Sequence, residues 1–122
     1  MKVLVLDRDS HVSRGLERTL RVLGHEVRCP ASAAEARATL QRDPGVDVIL
    51  AAQHLEPGER GTDFLRWAER HVPHARRVLI SGTHCPPDFV EKPGMQCFQA
   101  KPFGRQELEA LLCAPSPAHD SP

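Results

Sequence analysis

Apolar and polar positions fall in blocks along this chain. Val3 to Leu6 is an unbroken apolar run halted by Asp7-Arg8-Asp9-Ser10, which predicts a strand buried on both faces. Val12, Leu16, Leu20 and Leu23 then recur at helical spacing. Asp9 or Ser10 is placed to cap that helix, and Gly24 to end it in the left-handed conformation. Glu26 to Cys29 predicts a short second strand. Ser32 and Glu35 have capping-box spacing, and Ala33 to Gln41 is dense in helix formers until Asp43-Pro44-Gly45 breaks the pattern.

The same alternation continues. Val46 to Ala51 predicts a third strand, followed by a loop from Gln53 to Gly61. Thr62 is placed to cap a helix whose apolar stripe is Phe64, Leu65, Trp67, Ala68 and Val72, with Pro73 ending it. In this stripe Trp67 reads as a packing residue. Arg77 to Ile80 predicts a fourth strand and Met95 to Gln99 a fifth. Between them, Pro86, Pro87 and Pro93 leave room for only a short helical piece around Asp88 to Lys92. Gly104 to Cys113 predicts a final helix carrying Leu108, Leu111 and Leu112. The expected domain is therefore 1–113, with 114–122 a Pro-rich disordered tail or linker stub. Strand and helix alternate five times, which predicts an α/β, doubly wound parallel sheet with helices on both faces.

Composition narrows the function classes. The chain has 122 residues, with 16 basic and 16 acidic, so its formal net charge is +0. That length suits one domain, and the charge balance gives no basis for nucleic-acid or membrane-surface binding by this domain. The N-terminal apolar run is too short for a signal-peptide core or a span, so a cytoplasmic location is expected. Four cysteines, Cys29, Cys85, Cys97 and Cys113, form no C-x-x-C pair. They read as free thiols, with Cys29 and Cys97 packed as small hydrophobes at strands. His71 and His74 are separated by Pro73, and His84, Cys85 and Cys97 are too few for a tetrahedral site. No metal and no cofactor is expected.

In a doubly wound sheet, ligands bind beyond the carboxyl ends of the strands, where strand order reverses. The residues to inspect are Asp7, Arg8 and Asp9 after the first strand, Ala52 and Gln53 after the third, Ser81 and Gly82 after the fourth, and Lys101 after the fifth. Over roughly Lys2 to Cys113 the chain resembles the response-regulator receiver family. The resemblance is carried by Lys2-Val3-Leu4-Val5-Leu6-Asp7, Asp47-Val48-Ile49-Leu50, Leu79-Ile80-Ser81-Gly82 and Lys101-Pro102-Phe103, in that order and spacing. It implies a flavodoxin-like five-stranded sheet of order 2-1-3-4-5, here with the fourth helix shortened or irregular.

In that family, paired acids after the first strand and an aspartate after the third hold magnesium through hard oxygen ligands. The latter aspartate accepts a phosphoryl group, which a hydroxyl and a lysine then hydrogen-bond. Residue by residue, Asp7 matches the first acid, Arg8 occupies the second acidic position, and Ala52 stands where the acceptor belongs. Ser81 matches the switch hydroxyl, Lys101 the lysine and Phe98 the switching aromatic. A methyl group neither attacks phosphorus nor binds a cation, so the resemblance implies a pseudo-receiver: not an enzyme, but a phosphorylation-independent interaction module. The alternative is an atypical receiver phosphorylated at another acceptor. Arg8 and Lys101 either pair with Asp7 and Asp9 in place of a metal, or Arg8 points into solvent. The family's output face lies around the fourth helix, fifth strand and fifth helix. Here a remodelled surface of Phe89, Val90 and Met95 beside Pro86 and Pro87 is expected to take protein partners, a second copy of the chain included.

Overall fold

Successive residues of the first strand face opposite ways, and each face has its own core. The computed structural model describes residues 1–56, 58–81, 85–87, 89–99, 108, 109 and 112. On β1 (Lys2–Leu6), Val3 and Val5 join Leu16 and Leu20 of α1 (Ser10–Val22) and the helical Leu108 and Leu112. Leu4 and Leu6 join Ala36 and Leu40 of α2 (Ala33–Arg42) and Phe64 and Leu65 of α3 (Gly61–His71) on the other side. The remaining strands are β2 (Glu26–Arg28), β3 (Val48–Ala52), β4 (His54–Glu56), β5 (Glu59–Arg60), β6 (Arg76–Ser81) and β7 (Met95–Gln99). The main sheet is parallel throughout, in the order β2-β1-β3-β6-β7. Counting only its own strands, that is the expected 2-1-3-4-5 order.

The helix boundaries follow from local chemistry. Asp9 caps α1, its Oδ1 accepting the His11 and Val12 amides at 3.0 and 3.4 Å. At the far end Gly24 takes φ +93°. Its amide donates to Arg21 O and that of His25 to Leu20 O, the paired bonds of a Schellman ending. Ser32 caps α2 by accepting the Glu35 amide at 3.1 Å.

Several expectations are corrected. The predicted loop from Gln53 to Gly61 contains a small antiparallel hairpin, β4 with β5. It is tied to α2 by the Arg37–Glu59 ion pair. Thr62 does not cap α3. The cap position is Arg60, without a side-chain cap bond, and Thr62 is buried two residues further in, within the first turn. The short helix expected around Asp88 to Lys92 does not form among the described residues, where Phe89 to Glu91 are irregular and Lys92 makes a bridge to Met95. Cys29 lies past the end of β2, free and exposed rather than packed. Cys85 and Cys97, expected as free thiols, form a disulfide with Cα atoms 6.1 Å apart. Gly104 to Cys113 is described only at residues 108, 109 and 112, all helical, and the expected tail at 114–122 lies outside the described residues.

Candidate functional site

Strand register assembles the carboxyl end of the sheet. Leu6 pairs with Ala51 and Ala52 with Ile80, so Asp7, one residue beyond Leu6, is level with Ala52. Ile80 pairs in turn with Phe98, and Ser81 with Gln99. The parallel ladder thus brings Asp7, Ala52, Ser81 and Phe98 to one end of the sheet. The Ser81 side chain and all of Lys101 lie outside the described residues.

Ala52 is the last residue of β3 and is only 6% exposed. It presents a buried methyl group at the position that the sequence resemblance assigns to the phosphoryl acceptor. The adjoining space is closed by α3. The Gly61 amide donates to Gln53 O at 2.9 Å. The Gln53 side-chain Oε1 accepts both the Thr62 amide, at 3.1 Å, and the Thr62 hydroxyl, at 2.9 Å. A helix N-terminus has unsatisfied amides and a positive dipole end, and so attracts anions. Here a neutral carboxamide from the residue after Ala52 occupies two donors at that end. Nothing in the sequence flagged Gln53 beyond its position, because the partner that engages it is nine residues away.

The acids after β1 are used locally. Asp7 Oδ1 accepts the Asp9 amide at 2.9 Å, and Asp9 caps α1. Arg8 is exposed, and among the described residues no carboxylate is ion-paired to it. It lines an open cleft of about 490 Å³ that runs beneath the β4–β5 hairpin, past His54, Leu55 and Asp63. The cleft's other charges are engaged: Glu59 pairs with Arg37, and Arg60 with Asp63 at 3.3 Å. Arg37 also lies over the rings of Phe64 and Trp67, 5.8 Å from each centroid. Trp67 is partly buried against the core, as expected of a packing residue, and stacks on His71 at 4.2 Å.

The proposed output residues divide. Val90 is 68% exposed, and Phe89 is half-buried against the α2–α3 core. Met95, expected on the surface, is 3% exposed because it points from β7 into that core. Phe98 packs partly buried on the opposite face. Of the histidines weighed for metal binding, His84 lies outside the described residues, and His71 and His74 hydrogen-bond backbone carbonyls. His71 Nδ1 lies 2.9 Å from Trp67 O and His74 Nε2 2.6 Å from Pro44 O. Among the described residues no helix is long and apolar enough to cross a membrane.

No family model matches the chain. It is 36% identical over 104 residues to the hydrogenase transcriptional regulatory protein HoxA of Cupriavidus necator; the match covers 83% of this chain and 21% of that protein. The chain therefore spans about a fifth of that relative's length. Among solved structures, a CheY-like response regulator receiver domain protein from Methanospirillum hungatei superposes with a TM-score of 0.78 at 20% identity, over 91% of this chain and 89% of that one. The chemotaxis response regulator CheY4 of Vibrio cholerae gives 0.76 at 23% identity, over 91% and 94%. The receiver domain of the hybrid histidine kinase CckA gives 0.76 at 23%, over 92% and 95%. At such identities these superpositions establish fold, not role.

Proposed function

We propose that this chain, which has the fold of the response-regulator receiver domains, is a pseudo-receiver that acts as a phosphorylation-independent interaction module. The observation that carries this reading is Ala52. It is a buried methyl at the end of β3, level with Asp7, and Gln53 already satisfies the amide and hydroxyl of Thr62 beside it. The second acidic position is the exposed cation Arg8. A site with one carboxylate where three are needed, and a guanidinium nearby, holds magnesium poorly. Asp7, Arg8, Asp9, Ser81 and Lys101 are then the remains of a phosphoryl pocket, kept for their place in the scaffold.

The domain works through its surface, in the cytoplasm, on protein partners that meet the surface around Phe89 and Val90, with Phe98 across the sheet from it. The likeness to a transcriptional regulatory protein suggests that the output is gene regulation, carried by a segment outside this domain. The test is exposure to acetyl phosphate, or to beryllofluoride with magnesium, read by intact mass and by amide shifts near Asp7 and Ala52. The expected result is no phosphoryl adduct and no specific shift. An adduct on any side chain, or a saturable magnesium response at Trp67, favours an atypical acceptor and overturns the reading.

A further inference from the structure

β7 is the last strand of the sheet. An open edge strand offers unpaired amides and carbonyls to any other strand, so folded proteins cover or blunt such edges. Here the segment before β7 folds back on it. The Cys97 amide donates to Glu91 Oε2 at 3.0 Å. Lys92 and Met95 exchange two backbone bonds, at 3.0 and 2.8 Å. Lys92 Nζ reaches Glu69 on α3 at 2.7 Å, and Phe89 packs on the core beside Cys97. The covalent tie is Cys85–Cys97, which fixes the start of this segment to the middle of the edge strand. Both cysteines are partly exposed, so a small thiol can reach the bond.

We propose that Cys85 and Cys97 are a redox modification site: a reversible disulfide that locks this segment over the edge of β7. Among the described residues, what else holds residues 89–92 to β7, α3 and the core is an exposed ion pair, three hydrogen bonds and one aromatic side chain. Exposed ion pairs hold weakly, so reduction releases the cover. In the forward reaction a thiolate of glutathione or a dithiol attacks one sulfur and the Sγ–Sγ bond breaks. Two electrons and two protons end on Cys85 and Cys97 as thiols, and the donor leaves as its own disulfide. In reducing compartments a protein disulfide is typically transient and redox-sensing, which fits a lock better than a permanent staple. The tie and its contacts stand on this geometry, and its reversibility also rests on the cytoplasmic location proposed above. Only its consequence, that Val90 and the freed edge become available or unavailable to a partner, rests on the docking reading above.

The full chain is equilibrated in glutathione redox buffers, quenched in acid, unfolded, alkylated with a maleimide and weighed. Cys85 and Cys97 are expected to gain labels together in one two-electron transition, with Cys29 labelled throughout. In parallel, amides of residues 89–97 are expected to exchange about tenfold faster in the reduced chain, while those of β1 and β3 are unchanged. Labelling of Cys85 and Cys97 at every redox ratio overturns the proposal, as does identical exchange in the two states. Cys85→Ser under oxidising buffer is expected to exchange like the reduced chain, and exchange like the oxidised chain overturns the lock. Should that variant not fold, the natural chain reduced with dithiothreitol supplies the same comparison. None of these measurements involves phosphate or magnesium, so they stand or fall apart from the pseudo-receiver reading.

Discussion

Gly61 sits so close to the end of β3 that a Cβ on it would lie 2.1 Å from the Ala52 carbonyl oxygen and 2.7 Å from Leu79 Cδ1. The first contact is with backbone, which cannot swing aside as a side chain can. Gly61→Ala is therefore expected to lower stability by about 2–4 kcal/mol, measured as the shift in urea midpoint. Gly15 on α1 meets nothing within 4 Å and is exposed. Gly15→Ala is expected to stabilise by about 0.5–1 kcal/mol.

Placing a carboxylate at position 52 is a sterner test of the proposed function. Ala52→Asp places an acid at a site only 6% exposed, with an expected loss of about 1–3 kcal/mol. Because Arg8 still follows Asp7, the proposed function expects no saturable magnesium response of the single variant in Trp67 fluorescence. Arg8→Asp with Ala52→Asp is expected to gain one. A response from the single variant contradicts the role given to Arg8.

Arg37 joins three elements: it pairs with Glu59 of the hairpin and covers Phe64 and Trp67 of α3. Arg37→Ala is expected to cost about 1 kcal/mol and to shift Trp67 emission. An unchanged emission spectrum would mean that the cation does not cover the indole in solution.

Lys92 hydrogen-bonds Glu69 and holds its carboxyl below the usual glutamate range, against the opposing effect of burial. A depressed acid contributes stability that is complete above its unfolded pKa and is lost as pH falls through the lowered folded value. The difference in melting temperature between the natural chain and Glu69→Gln is thus expected to be constant above about pH 5 and to shrink toward pH 3. A difference that persists unchanged at the acid end argues against the pairing.

Cys29 is exposed as a residue, yet partial burial of its thiol, with Glu17 beside it, pushes the group up to about 11. At neutral pH it carries little thiolate, so its alkylation in the folded chain is expected to be roughly tenfold slower than that of a free cysteine. Timed iodoacetamide labelling of the native chain checks this.

Sequence pattern and fold agree wherever one residue's neighbours decide its state. Val3 to Leu6 and Val48 to Leu50 are apolar on both sides because both sides are covered. Asp9, Gly24 and Ser32 act on amides and carbonyls within a few positions. Most of the misses are long-range. The hairpin of β4 and β5 is fastened by Arg37, twenty-two residues before Glu59. Thr62 is claimed by Gln53 instead of acting as a cap. The Cys85–Cys97 bond has no motif to announce it, only two positions that the return of the chain onto β7 makes adjacent. Met95 looked like a surface residue beside three prolines, but the period-two geometry of a strand turned it inward. At the site, Ala52 at the end of β3 and the cation at position 8 were legible by position alone. The closing role of Gln53 was not.

The two separate cores give β7 an unusual place in the molecule. Cys97 faces the side packed by α2 and α3, and Phe98, the next residue, faces the side packed by α1 and Leu108 and Leu112. One peptide bond therefore connects the covalent tie on one surface of the sheet to the packing on the other. Substitutions at Cys97 and at Phe98 therefore load different cores, although the two residues are adjacent.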